Sequence, residues 1–476
     1  MWAGLVAYAY YLTRLWSHGS FGVGELLLLA LLSFFCLLPT MRWFQIGMPH
    51  LPLGEGFAFM HLIYYVIPCL GAHEGLADFS AGLRLKAEAG LILYLAALNL
   101  VYWWATRRRR GAFNQTHLMR REVSVIAIWS LLGLWLMISV ALQFGLMPNF
   151  GSLRNVFRAF LGALGSIAVV CLFYRCGKGI YGLFPLALAV SGLAIGVGAT
   201  FVSGSLISGA CILGAALLAY TLGSKRVPVV AIVVVLLLLG FLQAGKGGYR
   251  NALLNEKTGY VETPTSFYAA YNLWFRVSWL ALTRPDNEGK GEQNIFERAS
   301  LVQVFTVAMD TVPHKLPYMF GETYGMIPEL LVPRFFWPDK MRGTWPTECM
   351  GVYIGIQTEV GTDTTGIAVG PPAEGWLNFG WAGLVLEGVL FGVFFGWPAS
   401  LTRRLEPHNI GWLMCCVFLV ACVDMEHSFP EMFCSTLGGF MVGFVMLLSI
   451  STKPKLRRKI KPSGLSINAP SDSSLT

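Results

Sequence analysis

The sequence predicts an all-α polytopic membrane protein with about 11–12 transmembrane helices and one large extracytoplasmic loop. Of its 476 residues, 55% are hydrophobic and only 13% are charged, whereas a soluble domain carries about 25% charged residues. Apolar windows of roughly 17 to 22 residues recur along the chain and suit a hydrocarbon layer about 30 Å thick. Because unpaired backbone groups cannot face lipid, these windows are predicted to be helical.

Short basic clusters beside the apolar windows set the predicted topology. The formal net charge is +9, but clusters of this kind are typical of membrane anchors and speak against a nucleic-acid partner. The four arginines at 107–110, with Arg120 and Arg121, predict that their loop is cytoplasmic. Alternation from this loop puts the insert at 245–375 outside the cytoplasm and the C-terminus inside.

Eleven apolar segments are predicted spans, and a further candidate at 1–16 is short. The eleven are 21–38, 54–70, 90–106, 123–142, 155–174, 180–200, 206–222, 227–242, 376–399, 411–424 and 433–450. The chain thus divides into N-terminal transmembrane helices (1–244), a periplasmic cap (245–375), C-terminal transmembrane helices (376–451) and a basic cytoplasmic tail expected to be disordered (452–476).

The insert is expected to be an ordered cap on the membrane surface. Aromatic and apolar residues favour helices at 263–282 and 295–312, and a series of prolines then excludes long regular elements. The ten cysteines form neither a disulfide framework nor a Cys/His pattern that suits zinc. We therefore expect no metal site and no cofactor.

The cations of the insert are the candidate ligands of an anionic group. Lys246 and Arg250 follow a span, Arg298 lies in the second cap helix, and Arg334 and Lys340 lie in PRFFWPDK. Guanidinium forks bind phosphate oxygens in pairs, and lysine binds them as a point charge. A lipid-linked diphosphate that leaves during sugar transfer needs such cations. The alternative is that they anchor headgroups or pair with acids.

Three residues are candidate general bases that remove a proton from a sugar hydroxyl: Glu322, Glu374 and His427. Glu374 can instead cap a helix N-terminus, and His427 can be a structural polar residue. Tyr324 and Trp337 are candidate platforms for sugar faces, with packing or an interfacial belt as the alternative.

Several segments resemble the oligosaccharide repeat-unit polymerases of bacteria, the Wzy-type O-antigen and exopolysaccharide polymerases. They are FERAS…DTVPHKLPYMFGETY…PRFFWPDK at 296–340, PPAEGWLNFGWAG at 371–383 and RWFQIGMPHLPLGEGFAFMHLIYYVIPCL at 42–70. The family-like positions are Arg298, Glu322, Tyr324, Pro333, Arg334, Trp337, Pro338, Lys340, Glu374, Asn378 and Gly380.

The resemblance implies a metal-independent GT-C-like glycosyltransferase of the bacterial inner membrane. Such an enzyme joins undecaprenyl-diphosphate-linked oligosaccharides into O-antigen or exopolysaccharide at the outer face. Arg250 and Arg334 are the leading candidates for diphosphate binding, with Lys246, Arg298 and Lys340 assisting, and Asn378 is a candidate substrate ligand. The implied partners are the lipid-linked oligosaccharide, the bilayer, a chain-length regulator and a flippase.

Three other functions stay open: a glycan ligase of similar build, a glycolipid flippase or transporter, and a structural or assembly subunit. A ligase needs the same cap and the same cations. A transporter instead predicts charges along a path within the spans, and Arg158 and Glu387 are the charges noted in the predicted spans. This distribution favours an enzyme.

Overall fold

The computed structural model describes residues 22–70, 74–107, 118–144, 146, 154–202, 204, 206–253, 266–283, 300–334, 336–363 and 366–452. Its elements are α1 (Val23–Gln45), α2 (Leu53–Leu70, with a π-helical turn at Leu62–Val66), α3 (Glu74–Ala77), α4 (Ala81–Arg107), β1 (Glu122–Val123), α5 (Val125–Gln143), α6 (Arg154–Gly177), α7 (Leu183–Phe201), α8 (Leu206–Ser224), α9 (Val229–Ala244), α10 (Lys246–Leu253), α11 (Phe267–Thr283), α12 (Leu301–Thr311), α13 (Glu322–Gly325), α14 (Ile327–Leu331), α15 (Trp345–Tyr353), a 3-10 turn (Val360–Asp363), α16 (Pro371–Thr402), α17 (Ile410–Cys415), α18 (Phe418–Ala421), α19 (Phe429–Ile450) and β2 (Ser451–Thr452).

The helices bear out an all-α polytopic membrane protein. Among the described residues, eight are long and apolar enough to cross a membrane, and α9 with α10, bent by 49°, makes a ninth. Every predicted span from 21–38 onward coincides with an apolar helix. Ser208–Ser224 and Ile410–Ala421 are apolar but shorter than these candidate spans. The described residues therefore contain fewer full-length spans than the 11–12 predicted. Segment 1–16 lies outside the described residues.

Local sequence signals account for several helix starts. The Ser124 hydroxyl accepts a hydrogen bond from Ala127 N at 3.1 Å and so caps α5. Pro371 and Pro430 lie in the first turns of α16 and α19, where the missing N–H is not needed. These signals set where helices begin, but not which helices become neighbours.

A ridge of glycines brings α16 against α4. A Cβ atom built on Gly388 would lie 2.4 Å from the Tyr94 carbonyl oxygen, and one on Gly396 would lie 2.7 Å from the Cβ of Ala105. With Gly392 between them, small residues recur at every fourth position. This spacing lets helix backbones approach closely in lipid, where van der Waals packing drives association.

Contacts between loops define two ends of the bundle. At one, β1 pairs antiparallel with β2, Glu122 bridges Asn409, and Lys225 Nζ donates to the carbonyls of Gly47 and Met48. We call this the Arg107 end. It gathers the segments around 42–50, 107, 118–123, 225, 403–410 and 451–452, including the described parts of the loops that charge predicts to be cytoplasmic.

The described parts of the 245–375 insert gather mainly at the opposite end, the Glu374 end. The chain from Gly380 to Thr402 is about 33 Å long as a helix, and it joins the two ends. Helix α11 is part of the predicted cap, yet it packs against α9 and α10: Trp274 Nε1 donates to the Leu242 carbonyl at 2.8 Å, and its ring stacks on Tyr249. The first cap helix therefore lies beside the spans.

Cysteine labelling should separate the two ends. We expect Glu359→Cys at the Glu374 end to react with a membrane-impermeant maleimide in intact cells, and Arg226→Cys at the Arg107 end to react only after permeabilisation. The native cysteines are buried or half-buried, and burial raises the pKa of Cys349 to about 12, so their background reaction is slow. The reverse pattern would overturn the predicted topology.

Candidate functional site

A break inside α16 shapes the Glu374 end. Phe379 and Gly380 leave helical geometry, and Gly380 has φ +58°, which glycine adopts at little energetic cost. A Cβ atom built on Gly383 would lie 1.8 Å from the Gly375 carbonyl oxygen. Residues eight positions apart in a straight helix are separated by about 12 Å. The halves 371–378 and 381–402 therefore fold back on each other as a helical hairpin.

The loop before α13 supplies partners for the broken backbone. Met319 N and Phe320 N donate to the carbonyls of Leu377 and Asn378 at 2.9 and 3.2 Å. Gly321 N donates to Asn378 Oδ1 at 2.9 Å. The last carbonyls of a helix have no partner within that helix. The loop thus satisfies the end of the first half-helix, and α13 lies over the hairpin.

Two carboxyl groups face each other across the hairpin. Glu374, on the first half, and Glu387, on the second, are both fully buried, and the two groups lie within hydrogen-bonding reach. Oε1 of each is buried and accepts no hydrogen bond from a donor among the described residues. A proton on one carboxyl would donate to the other and satisfy both atoms, as in other close carboxyl pairs.

Glu374 also joins the hairpin to the last span. Its Oε2 accepts a hydrogen bond of 2.6 Å from Phe429 N, in the first turn of α19, where the helix dipole favours negative charge. The Asn378 amide donates to the Glu374 carbonyl and to Thr323 Oγ1, at 3.0 Å each. Glu374 therefore caps α19, a neighbour that its own sequence context does not reveal.

Tyr324 closes the pair from the cap side. Its hydroxyl donates to Glu387 Oε2, and its ring lies parallel to that of Phe379, with 6.3 Å between centroids. Burial and the carboxyls of Glu387 and Glu374 raise the pKa of Tyr324 well above its usual value. The phenol therefore stays a donor at neutral pH. Tyr324 was predicted as a sugar platform, but its hydroxyl is engaged by this acid.

His427, a predicted base, is held as a cation. Its Nδ1 lies 2.8 Å from Asp424 Oδ2, and its Nε2 lies 3.5 Å from Glu431 Oε1. Burial alone would lower its pKa, but Asp424, Glu431 and Glu426 raise it to about 10. A protonated imidazole has no lone pair for a proton. The arrangement thus favours the structural alternative for His427.

Two predicted phosphate ligands serve their own loop. Lys340 Nζ donates to the carbonyls of Leu330 and Val332 at 2.8 and 2.6 Å, at the end of α14. Arg334 donates to the carbonyls of Pro338 and Met341 at 3.3 and 3.1 Å. The PRFFWPDK segment is therefore a loop that its own cations close. Both side chains have donors committed to backbone oxygens.

The other predicted ligands are dispersed. Arg250 is exposed on α10 and packs over Gly204, and it has no hydrogen bond or ion pair within the described chain. Lys246, on the same helix, lies near enough to Glu426 to stabilise its negative charge. Glu322 is exposed, and Trp337 is 46% exposed. Arg298 lies outside the described residues.

Polar groups within the spans are more numerous than the sequence analysis allowed. Glu55 and His61 lie in α2 and are buried, as is Glu88 in α4. His61 stacks on Tyr65 and lies against Tyr94, and His61 Nε2 and both phenol oxygens have no partner among the described residues. The side chain of Arg158 lies outside the described residues. An acid or histidine inside an apolar span is itself the signal of a site.

Glu387 is the site residue that sequence reasoning missed. In the sequence it is a lone charge within the predicted span 376–399, and its local pattern indicates no role for it. Its position 13 residues after Glu374 would separate the two acids by about 20 Å in a straight helix. The break at Phe379–Gly380 removes that separation, and no pattern found in the sequence predicts this fold-back.

Substituting Gly383 tests the hairpin. Gly383→Ala places a methyl group against the backbone of Gly375, so we expect the melting temperature in detergent to fall. Overpacking typically costs about 1–3 kcal/mol, and a backbone contact leaves little room for relaxation. Gly133→Ala is the control, because no atom lies within 4 Å of a Cβ built there. Equal melting temperatures for the two variants would contradict the hairpin.

The pH dependence of stability tests the state of His427. Its pKa is about 10 in the folded protein against an ordinary value of 6.5. A raised pKa adds stability that is complete below about 6.5 and is lost as the pH rises through about 10. Melting temperatures of wild type and His427→Gln should therefore converge over that range. The exposed His314→Gln is the control, and a constant difference would contradict a cationic His427.

The Glu374 site supports proton transfer. Two buried acids within reach of each other, Glu387 held by a phenol and Glu374 by a backbone amide, can share a proton, take one from a hydroxyl or pass one on. Comparisons of the chain with protein families, with curated proteins and with solved structures found no match.

Proposed function

We propose that the chain is a metal-independent glycosyltransferase that polymerises polyprenyl-diphosphate-linked repeat units at the outer face of the bacterial inner membrane. The observation that carries this proposal is the meeting of two segments that resemble repeat-unit polymerases. Gly321 of GETYG donates to Asn378 of the second segment, and Tyr324 of GETYG donates to Glu387, four residues beyond that segment. Residues 57 and 63 positions apart thus form one group that is suited to proton transfer.

Glu374 is the proposed general base. The acceptor hydroxyl oxygen attacks the anomeric carbon, the bond from that carbon to the diphosphate breaks, and its electrons leave with the diphosphate. The hydroxyl proton passes to Glu374 Oε1, the oxygen without a donor among the described residues. Glu387, oriented by Tyr324, shares that proton, which keeps the pair at one negative charge or less.

Access to Glu374 requires the cap to move. The carboxyl is fully buried. Tyr324 lies over Phe379, and the Tyr318 hydroxyl lies 2.7 Å from the position of a Cβ on Gly380. Displacement of the Tyr324 side chain from Glu387 and Phe379 would open the pair to an acceptor, while the hydrogen bonds from the backbone of Met319 and Phe320 to the hairpin remain in place. Closure would then exclude water, which competes as an acceptor.

The diphosphate is assigned to the cations of α10. Arg250 is exposed, and Lys246 lies near Glu426. Glu426 comes three residues before Phe429, the residue at the start of α19 whose N–H donates to Glu374. A guanidinium and an ammonium on one short helix can stabilise the charge of a leaving diphosphate. Arg334 and Lys340 then shape the cap by holding its carbonyls.

A second candidate function is proton-coupled transport of a glycolipid. The unpartnered polar atoms of His61, Tyr65 and Tyr94 lie within the bundle, and the last two lie near Gly370 and Glu387. Broken helices and acids inside spans are typical of secondary transporters. This candidate predicts movement of lipid-linked glycan between leaflets of proteoliposomes, with no change in glycan length.

A reconstituted reaction tests the proposal. Purified protein given one lipid-linked repeat unit as sole substrate should produce a ladder of polymer lengths. Glu374→Gln should slow ladder formation by about 10²–10⁴-fold, the usual contribution of a general base. The exposed Glu359→Gln removes the same charge at the same end of the bundle and should retain the wild-type rate.

Three outcomes would contradict the proposal. A full rate for Glu374→Gln, in protein with the wild-type melting temperature, would remove the proposed base. Transfer of glycan to a different acceptor without a ladder would identify a ligase. Flux across the bilayer without any new glycosidic bond would identify the transporter.

A further inference from the structure

A pocket at the Arg107 end takes no part in the proposed reaction. It has a volume of about 350 Å³ and lies among the ends of α1, α4 and α16 and the start of α2. This size is within the range of small-ligand sites. The Glu374 site lies at the other end of the same spans, so the pocket is a separate site.

Three arginines converge on this pocket without an acid to neutralise them. The guanidiniums of Arg42 and Arg107 lie 4.8 and 3.4 Å from the ring centroid of Trp103, and Arg403 Nη1 donates to the Thr106 carbonyl at 3.3 Å. None of the three forms an ion pair with an acid in the described chain. Guanidiniums that line one cavity repel each other unless an anion lies between them.

The acid in the pocket wall is already engaged. Glu55 Oε2 accepts a hydrogen bond of 2.5 Å from the Tyr102 hydroxyl, and Glu55 Oε1 lies 3.8 Å from His50 Nε2. Burial, with the charges of Arg403 and Lys225, lowers the pKa of His50 to about 4, so the imidazole adds no positive charge at neutral pH. Glu55 therefore does not act as counter-ion to the arginines.

Helix dipoles explain only part of the arrangement. Arg42 and Arg107 lie in the last turns of their helices and Arg403 follows α16, and a helix C-terminus favours a cation. That preference explains an arginine at the end of each helix, but it does not explain why all three arginine side chains line the same cavity. It also leaves Trp103 Nε1, a buried donor in the wall, without a partner among the described residues.

Apolar side chains make up one side of the wall, where the pocket is open. Phe35, Leu38, Ile46 and Leu100 line it, and Ile46 and Leu100 are 53% and 64% exposed. On a membrane protein, such exposed apolar side chains face lipid tails. The pocket therefore combines a cationic head region with an apolar opening toward the bilayer.

We propose that this pocket binds a phosphate-bearing anion, delivered as the headgroup of a membrane lipid. Arg42, Arg107 and Arg403 bind the phosphate oxygens and Trp103 Nε1 donates a further hydrogen bond, while the lipid chain lies along Ile46 and Leu100. Phosphate oxygens match guanidinium forks in charge and in geometry. The chain thus carries a lipid site at the end of the bundle opposite the acid pair.

Lipid binding to the purified protein tests this site. Native mass spectrometry and melting temperatures are measured with phosphatidylglycerol, with phosphatidylcholine, and with glycerol phosphate as the free anion. We expect a bound phosphatidylglycerol and a raised melting temperature. Arg107→Gln/Arg403→Gln should weaken binding about tenfold or more. Both side chains are exposed, which keeps the risk of misfolding low. The exposed Arg226→Gln/Lys178→Gln is the control for loss of two charges and should bind as wild type does.

The outcomes separate the sources of the phosphate. Tighter binding of phosphatidylglycerol than of glycerol phosphate supports a lipid headgroup, whereas equal binding of the free anion overturns the lipid as its source. Equal loss in the control variant would show a general effect of surface charge and would overturn the site. Unchanged binding in Arg107→Gln/Arg403→Gln would overturn it as well, and a Trp103→Phe variant checks the same wall independently.

Discussion

The break at Phe379–Gly380 is the constraint on which the Glu374 end depends. A helix that ends beside lipid leaves carbonyl groups that need new donors, and those of Leu377 and Asn378 receive them from Met319 and Phe320. Because the backbone of Met319 and Phe320 is hydrogen-bonded to the hairpin, the residues that follow also lie against it, and the Tyr324 hydroxyl donates to Glu387. The backbone contacts of the cap loop thus position Tyr324 on the acid pair.

Acids and arginines are distributed differently, for a physical reason. A carboxyl can enter an apolar interior by holding a proton, alone or shared, whereas a guanidinium keeps its charge at any ordinary pH. Glu55, Glu374 and Glu387 are accordingly buried, while the arginines of the described chain stay at the ends of the bundle. In the cap, Arg334 and Lys340 donate to carbonyls and so stabilise their own loop. Arg250, at the Glu374 end, makes no hydrogen bond or ion pair with the described residues.

One helix pair connects the two proposed sites. Helix α16 carries Glu387 toward one end and is followed by Arg403 at the other. Helix α4 carries Tyr94 near the acid pair, then Trp103 and Arg107 at the pocket. The glycines at 388, 392 and 396 hold the two backbones in close contact.

Composition and spacing determined the class of the protein and most of its helices, because lipid requires long apolar helices and those are legible in a single chain. Glu374, Asn378 and Tyr324 were among the candidate site residues that the sequence offered. Tertiary structure decided which partners they have: Glu387 reaches Glu374 only through the fold-back, Lys340 and Arg334 are turned to carbonyls, and His427 is held between acids. Hydrogen-bond partners and charge states depend on side chains that are distant along the chain, so the local sequence pattern does not predict them.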